Sequence, residues 1–277
     1  QFSMVMTEQT LAAVPLFVFM GIMMEQAGLM ERLFSAFQLM LAKVRGSLYY
    51  AVLFVSVIFA AATGIVGASV TILGIMAAKS MNKSGYNVRL AAGTITAGGT
   101  LGILIPPSVI LIIYGLITEA DIGKLFIAGI LPGLIGVVFY LIAVRIVVCF
   151  RPDFAPTEVE QYPMLRKDFW GVISVLALFA IIMIGIYGGF FTASEAAAIG
   201  AFISLLIAIA MGGMTFGKLF HAGEETIKTT AMIFALVIGA EIFSNFVSFA
   251  GLPDAILGWV TAMDVGPWTV MFCIILM

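Results

Sequence analysis

Residues 98–108 read Gly98-Gly99-Thr100-Leu101-Gly102-Ile103-Leu104-Ile105-Pro106-Pro107-Ser108 and lie inside an apolar run from Ala91 to Gly115. A run of about 20 apolar residues has the length of a membrane-crossing helix, yet this one cannot be a continuous helix. Each proline withholds a backbone donor and clashes with the preceding turn, and Gly98, Gly99 and Gly102 weaken the helix that remains. In lipid, a backbone group released from helical pairing is costly unless protein or a water-filled cavity satisfies it. A span interrupted at mid-depth therefore exposes main-chain dipoles where an ion or substrate can be held. A lone proline would read as a kink; Gly-Gly combined with Pro-Pro reads as a site.

The rest of the chain is built to place such a site in a bilayer. Of its 277 residues, 62% are hydrophobic and only 10% charged, with a mean hydropathy of +1.18, far from the roughly 25% charged of a soluble domain. The apolar runs are long and do not alternate, which excludes a β-barrel and predicts an all-α membrane protein. The net charge is -2 and no basic patch marks a nucleic-acid partner. Cys149 and Cys273 sit in separate apolar runs and imply no disulfide framework. The one histidine, His221, leaves no metal cluster and no nucleophile–base pair at depth, so an intramembrane enzyme is not expected. The chain opens in Gln1-Phe2-Ser3 without a signal-peptide pattern and ends within a fresh apolar run, which is expected of part of a longer protein.

Apolar runs and basic flanks give the topology. A first helix covers about Leu11 to Met24. Residues 30–42 are amphipathic, with Glu31, Arg32 and Gln38 against Leu33, Phe34, Phe37 and Met40, and suit an arm lying in the interface. Lys43 and Arg45 precede, and Lys79, Lys83 and Arg89 follow, an apolar stretch interrupted at Thr63-Gly64-Ile65-Val66-Gly67-Ala68-Ser69. Basic flanks prefer the cytoplasm, so residues 47–79 are predicted as a re-entrant hairpin that turns at Gly64–Ser69. Each arm, of about 14 residues, would reach about 21 Å, past the middle of a bilayer core. One long tilted helix is the competing reading, and it would put basic clusters on both faces.

The broken helix, residues 90–116, then emerges at an acidic loop with Glu119 and Asp121, and residues 125–150 return to Arg145 and Arg151. Residues 151–167 read as a cytoplasmic linker, and residues 168–277 as scaffold helices and an incomplete second repeat. Phe169–Phe190 goes out. Thr192-Ala193-Ser194-Glu195 opens the returning helix with an N-cap, Glu195 placed where the helix dipole favours it. Met214–Thr230 reads as a polar amphipathic segment, separate from the apolar helix Ala231–Phe249. Gln26-Ala27-Gly28-Leu29 and Phe249-Ala250-Gly251-Leu252 each join an apolar helix to an amphipathic one. The first copy ends in Lys43 and Arg45 and the second in Asp264, so the copies are expected on opposite faces. That is the pattern of an inverted-topology repeat, with residues 1–150 as its first copy.

Gly64-Ile65-Val66-Gly67-Ala68-Ser69, Lys83-Ser84-Gly85-Tyr86, Ala97-Gly98-Gly99-Thr100-Leu101-Gly102-Ile103-Leu104-Ile105-Pro106-Pro107-Ser108, Phe191-Thr192-Ala193-Ser194-Glu195 and Gly251-Leu252-Pro253 resemble the large membrane subunit of tripartite ATP-independent periplasmic (TRAP) transporters, within the ion-transporter superfamily. The resemblance runs across essentially the whole chain. It implies an inverted-repeat, elevator-type, sodium-driven transporter of the bacterial inner membrane. It also implies a small membrane subunit and a periplasmic solute-binding protein as partners, and an organic-acid substrate. By the same resemblance the hairpin tip, Gly67, Ala68 and Ser69, and the break, Gly98, Gly99, Thr100 and Gly102 with Pro106, Pro107 and Ser108, form a sodium site and half of the substrate site. Family members commonly carry serines where Val66 and Ala68 stand here, which shifts coordination toward backbone carbonyls with Ser69 and Thr100. No cofactor beyond the coupling sodium ion is implied. A stand-alone sodium/carboxylate symporter without a binding protein is the alternative, and a channel would also use a re-entrant hairpin.

Other polar residues have plainer readings. Glu241, an acid within an apolar helix, is either an ion or proton relay or a packing contact with Asn245. Glu25 and Arg145 read as interfacial, and Trp170, Trp259 and Trp268 as belts at the membrane surface.

Overall fold

A computed structural model describes residues 9–63, 66–156, 166–212, 214–262 and 266–276, and their side chains except those of residues 9–10, 60–63, 66–68, 166–168 and 274. Two compact units are distinguishable, one reaching to Thr230 and one from Ala231 to Met277. All described elements are helical: α1 (Ala13–Gln26), α2 (Leu29–Met40), α3 (Ser47–Thr63), α4 (Val66–Lys83), α5 (Val88–Thr100), α6 (Val109–Ile117), α7 (Ile122–Phe150), α8 (Arg166–Tyr187), α9 (Ala193–Ala210), α10 (Phe216–Phe249), α11 (Leu252–Ala262) and α12 (Pro267–Leu276), with short 3-10 turns between some of them. By length and composition, α7, Phe169–Tyr187 of α8, α9 and α10 can each cross a membrane, and so can α1 and α2 taken together, a pair bent by 64°.

Local chemistry explains these boundaries. Gly28, at φ +68°, turns the chain between α1 and α2, a conformation that costs a side-chain-free residue little. Gly85, at φ +73°, ends α4. Its N–H bonds the Asn82 carbonyl at 3.1 Å, and that of Tyr86 reaches back to Met81 at 2.9 Å, which satisfies carbonyls a helix end leaves open. Asn87 then caps α5, its side chain accepting the N–H groups of Arg89 and Leu90. Asp121 caps α7 through the N–H of Lys124 at 2.8 Å. Thr192 and Glu195 form a reciprocal capping box at the start of α9, the pattern expected from the sequence.

Three boundaries depart from the sequence reading. The hairpin's second arm runs on through Lys79 to Lys83, because nothing in that stretch breaks a helix before Gly85. Arg166 and Lys167, expected in the linker, form the first turn of α8. Met214–Thr230 and Ala231–Phe249, expected as two segments, are joined in the single 34-residue helix α10. No proline lies between Met214 and Phe249, and a change of polarity does not interrupt backbone hydrogen bonding.

The fold's first compact unit is organised around the hairpin. Arms α3 and α4 pack on each other and both pack on α5. Their outer ends converge on one turn after α7, the 3-10 turn Pro152–Phe154. Arg45 donates from Nε to the Ala155 carbonyl at 3.1 Å and from Nη2 to the Pro152 carbonyl at 2.9 Å. The fully buried Tyr49 donates to the Phe154 carbonyl at 2.8 Å, which also accepts the Asn87 N–H at 3.2 Å. Tyr86 stacks edge-on against Tyr49, ring centroids 4.9 Å apart. Residues 45–49, at the start of the hairpin's first arm, and 86–87, after its second arm, therefore meet at one place. A single long helix over residues 48–78 cannot do that. The predicted tip, Gly64 and Ile65, lies outside the described residues.

Tyr49→Phe removes one buried hydrogen bond and should destabilise the protein by about 1 kcal/mol. Arg45→Ala removes an exposed bond to the Pro152 carbonyl and a part-buried one to the Ala155 carbonyl, and should cost less than losing two fully buried bonds would. Thermal denaturation in detergent, with release of the 152–155 turn followed by limited proteolysis, measures both effects.

Candidate functional site

The predicted break is present. α5 ends at Thr100, Leu101–Ile103 tighten into a 3-10 turn, and helix resumes only at Val109. Within the gap, the Leu101 carbonyl accepts the N–H groups of Leu104 at 3.1 Å and Ile105 at 3.0 Å. The buried Ser108 donates its hydroxyl to the Ile103 carbonyl at 3.0 Å. Pro106 and Pro107 are buried and are joined by a cis peptide bond.

Glycines let this irregular segment sit close to its neighbours on two sides. Facing the hairpin, Gly98 lies against Ser56 of α3: a Cβ there would be 2.8 Å from the Ser56 Cβ and closer still to its hydroxyl. Gly99 lies against Val70 of α4, where a Cβ would fall onto the valine's methyl group. Consecutive glycines thus each receive one arm of the hairpin. Ser69, next to Val70, is fully buried. Facing α7, a Cβ on Gly129 would lie 2.7 Å from the Leu104 carbonyl oxygen, one on Gly133 2.8 Å from Ile105, and one on Gly136 3.3 Å from Leu101. Gly129, Gly133 and Gly136 recur at helical spacing, and α7 lays this stripe of small residues along the break.

Of the residues expected at the site, Gly98, Gly99, Thr100, Gly102 and Ser69 fall where the hairpin arms, α5 and the 3-10 turn pack together. Pro106, Pro107 and Ser108 belong to the outgoing side of the break, which leads into α6 and its main partners α1 and α7. Gly67 and Ala68 lie in the first turn of α4, and the Ala68 side chain is outside the described residues. Glu241 is exposed in the second unit, and Asn245 donates to its main-chain carbonyl at 2.9 Å, not to its carboxylate.

Thr100 keeps two polar partners. Its hydroxyl donates to the Ala97 carbonyl at 2.7 Å and lies 3.3 Å from the hydroxyl of Tyr140 on α7. Sequence reading passed over Tyr140, Ser56 and the α7 glycines. The glycine spacing was available as a signal; the pairing of Tyr140 with Thr100, 40 residues away, had none. Taken together, the segment offers main-chain carbonyls, buried hydroxyls and no ionised group, a set suited to a hard cation beside a loosely held anion.

A family model described as "Tripartite ATP-independent periplasmic transporter, DctM component" matches residues 1–277. The chain is 34% identical over 263 residues to the C4-dicarboxylate TRAP transporter large permease protein DctM of Pseudomonas aeruginosa, covering 94% of this chain and 61% of that protein. It is 31% identical to the sialic acid TRAP transporter large permease protein SiaM of Vibrio cholerae, covering 96% and 62%. It is 32% identical to the ectoine/5-hydroxyectoine TRAP transporter large permease protein UehC of Ruegeria pomeroyi, again covering 96% and 62%. The chain therefore spans about three fifths of the length of these curated relatives.

Gly98→Ala and Gly99→Ala should each force the hairpin away from the break at a cost of about 1–3 kcal/mol, the range for overpacked cores. Gly93 lies in the same helix with nothing within 4 Å of its Cβ position, and Gly93→Ala should be neutral or slightly stabilising. Thermal melts of the three variants in detergent compare them directly; equal tolerance at all three positions contradicts the close approach.

Proposed function

The chain belongs to the DctM-component family of tripartite ATP-independent periplasmic transporters, and from that premise we propose that it forms the greater part of a permease importing an organic acid together with sodium. Its relatives are transporter permeases, not enzymes, and its long apolar helices make it a multi-pass membrane protein. The bacterial inner membrane is its place in this reading. A periplasmic binding protein delivers the substrate and a small membrane subunit braces the complex.

The observation that carries the proposal is the seating of an interrupted helix between two hairpin arms, Gly98 on Ser56 and Gly99 on Val70. A helix that releases backbone groups inside an apolar protein needs a reason, and coordination of an ion supplies one. Carbonyls of the break, with Ser69 and Thr100, serve as the sodium ligands. The bound cation then offsets the charge of the organic acid, because the hairpin tip and the break hold no Lys or Arg. A site without ionised side chains suits an elevator, since an unpaired charge would be costly to carry through the bilayer core.

The same reading makes the chain one and a part copies of an inverted repeat. The Ala27-Gly28 and Ala250-Gly251 junctions support it. Each glycine has φ +68°, and each junction repeats the same bonds, from Ala to the residue four before it and from Gly to the residue three before it. In this topology Lys43 and Lys83 both face the cytoplasm.

The test is uptake into proteoliposomes containing the complete permease, the small subunit and the binding protein. An inward sodium gradient should drive accumulation of at least one member of a panel comprising a C4-dicarboxylate, sialic acid and ectoine, and a potassium gradient should not. Loss of one hydrogen-bonding ligand is worth roughly tenfold in affinity, so Ser69→Ala and Thr100→Ala should each raise the sodium requirement by about that factor. Uptake indifferent to sodium contradicts the proposal. Single cysteines, Lys43→Cys and Lys83→Cys, should both label with an impermeant maleimide from the cytoplasmic side; labelling from opposite sides removes the re-entrant hairpin.

A further inference from the structure

We infer that Tyr140 is a positioning residue that makes Thr100 an acceptor aimed at the cation, so that Thr100 serves sodium and not the organic acid. The inference rests on the sodium-coupled reading above and goes beyond it by dividing the site's labour.

Proton accounting leads to it. A threonine hydroxyl has one proton and two lone pairs. The Thr100 proton is committed to the Ala97 carbonyl, at 2.7 Å. The contact between the Thr100 and Tyr140 hydroxyls, at 3.3 Å, therefore has Tyr140 as the donor, and it takes up one lone pair. What Thr100 has left to offer is a single lone pair and no proton. A carboxylate or other anion requires a donor and gains nothing from such a group. A cation requires an oxygen acceptor and is served by it.

The placement of Tyr140 is built into α7. Gly129, Gly133, Gly136 and Tyr140 succeed one another at intervals of four, three and four residues, along one face of a helix. The three glycines bring that face within van der Waals reach of Leu104, Ile105 and Leu101. The tyrosine one turn further on then meets the last residue of α5. Around this meeting point Leu101, Ile105 and Val137 are buried together, with Val57, Phe179 and Tyr140 itself packed on them. The Ala97 carbonyl holds the Thr100 proton and the Tyr140 hydroxyl holds one lone pair, so the two together fix where the other lone pair points; without Tyr140 that second constraint is lost, with little water present to replace it.

The experiment uses the ion alone and needs no knowledge of the organic substrate. The complete permease with its small subunit is purified in choline chloride, and its thermal stability is followed as choline is exchanged for sodium, with potassium as the control. Wild type should be stabilised by sodium only. Thr100→Val, which keeps shape and removes the oxygen, and Tyr140→Phe, which removes only the donor, should each raise the sodium concentration for half-maximal stabilisation by about five- to tenfold. Their melting temperatures in choline should stay near that of wild type. Thr100→Ser keeps the oxygen and should keep the wild-type response, and this pair of Thr100 variants decides the point even if Tyr140→Phe does not assemble. In transport, substrate half-saturation measured at saturating sodium should be unchanged by Tyr140→Phe. A sodium response that survives Thr100→Val and Tyr140→Phe unaltered overturns the assignment alone. A substrate half-saturation that shifts at saturating sodium overturns it too. A wild-type protein indifferent to sodium sinks the coupling reading and this assignment with it.

Discussion

A helix that stops inside apolar protein leaves main-chain dipoles that must be answered locally, and much of the first compact unit is arranged to answer them. Pro106 and Pro107 each contribute a carbonyl and no N–H, so the break carries more acceptors than donors. Part of that surplus is met within the segment, by the Ser108 hydroxyl on Ile103 and by two N–H groups on the Leu101 carbonyl. The Leu104 carbonyl is laid against Gly129, where any side chain would collide with it. An excess of oxygen acceptors, held still by packing on both sides, is the electrostatic opposite of an anion site and the natural complement of a cation.

Holding such a segment still requires the hairpin, and the hairpin requires its base. Arms α3 and α4 reach the break through side chains as small as Ser56 and Val70, which lets glycine backbone come close. Small residues at the contact trade buried area for proximity, so the arms must be fixed elsewhere. The fixing point is the turn Pro152–Phe154. There the main-chain carbonyls of residues 152, 154 and 155 accept from Arg45, Tyr49 and Asn87. Because the same turn directly succeeds α7, and α7 lines the other side of the break, the hairpin, the broken helix and α7 form one closed circuit. The circuit is closed by three polar residues, Arg45, Tyr49 and Asn87, with no ion pair among them.

The features legible in the sequence were those with local causes. The break needed only its glycines and prolines, the capping box only Thr192 and Glu195, and the bend between α1 and α2 only Gly28. The hairpin was readable because its flanks carry lysines and arginines whose sidedness is constrained by the membrane. What escaped had non-local causes or depended on the absence of a breaker. Polarity falls off at Ala231, but backbone hydrogen bonding does not register polarity, so α10 runs straight through. Lys79 looks in sequence like a boundary, yet a helix tolerates lysine well, and the arm runs on to Lys83. Thr100 was singled out, while Tyr140 and Ser56, which decide how the break is held, look in sequence like isolated polar residues in apolar helices.

A left-handed glycine after a helix is common, so the matched junctions at Gly28 and Gly251 mean little alone. Their weight comes from the elements downstream of each. After Gly28 the chain makes a helix of 12 residues, a second glycine turn at Gly46, with φ +81°, and then the apolar arm α3. After Gly251 it makes a helix of 11 residues, and Gly266 then immediately precedes the apolar α12. The order of elements and the length of the first helix are thus kept, while the basic residues of the first copy, Lys43 and Arg45, have only Asp264 as a counterpart in the second. Charge is the feature that orients a segment in a membrane, and length and apolarity are the features that let it cross. Keeping the second while changing the first is how one structural unit can be used in two opposite orientations.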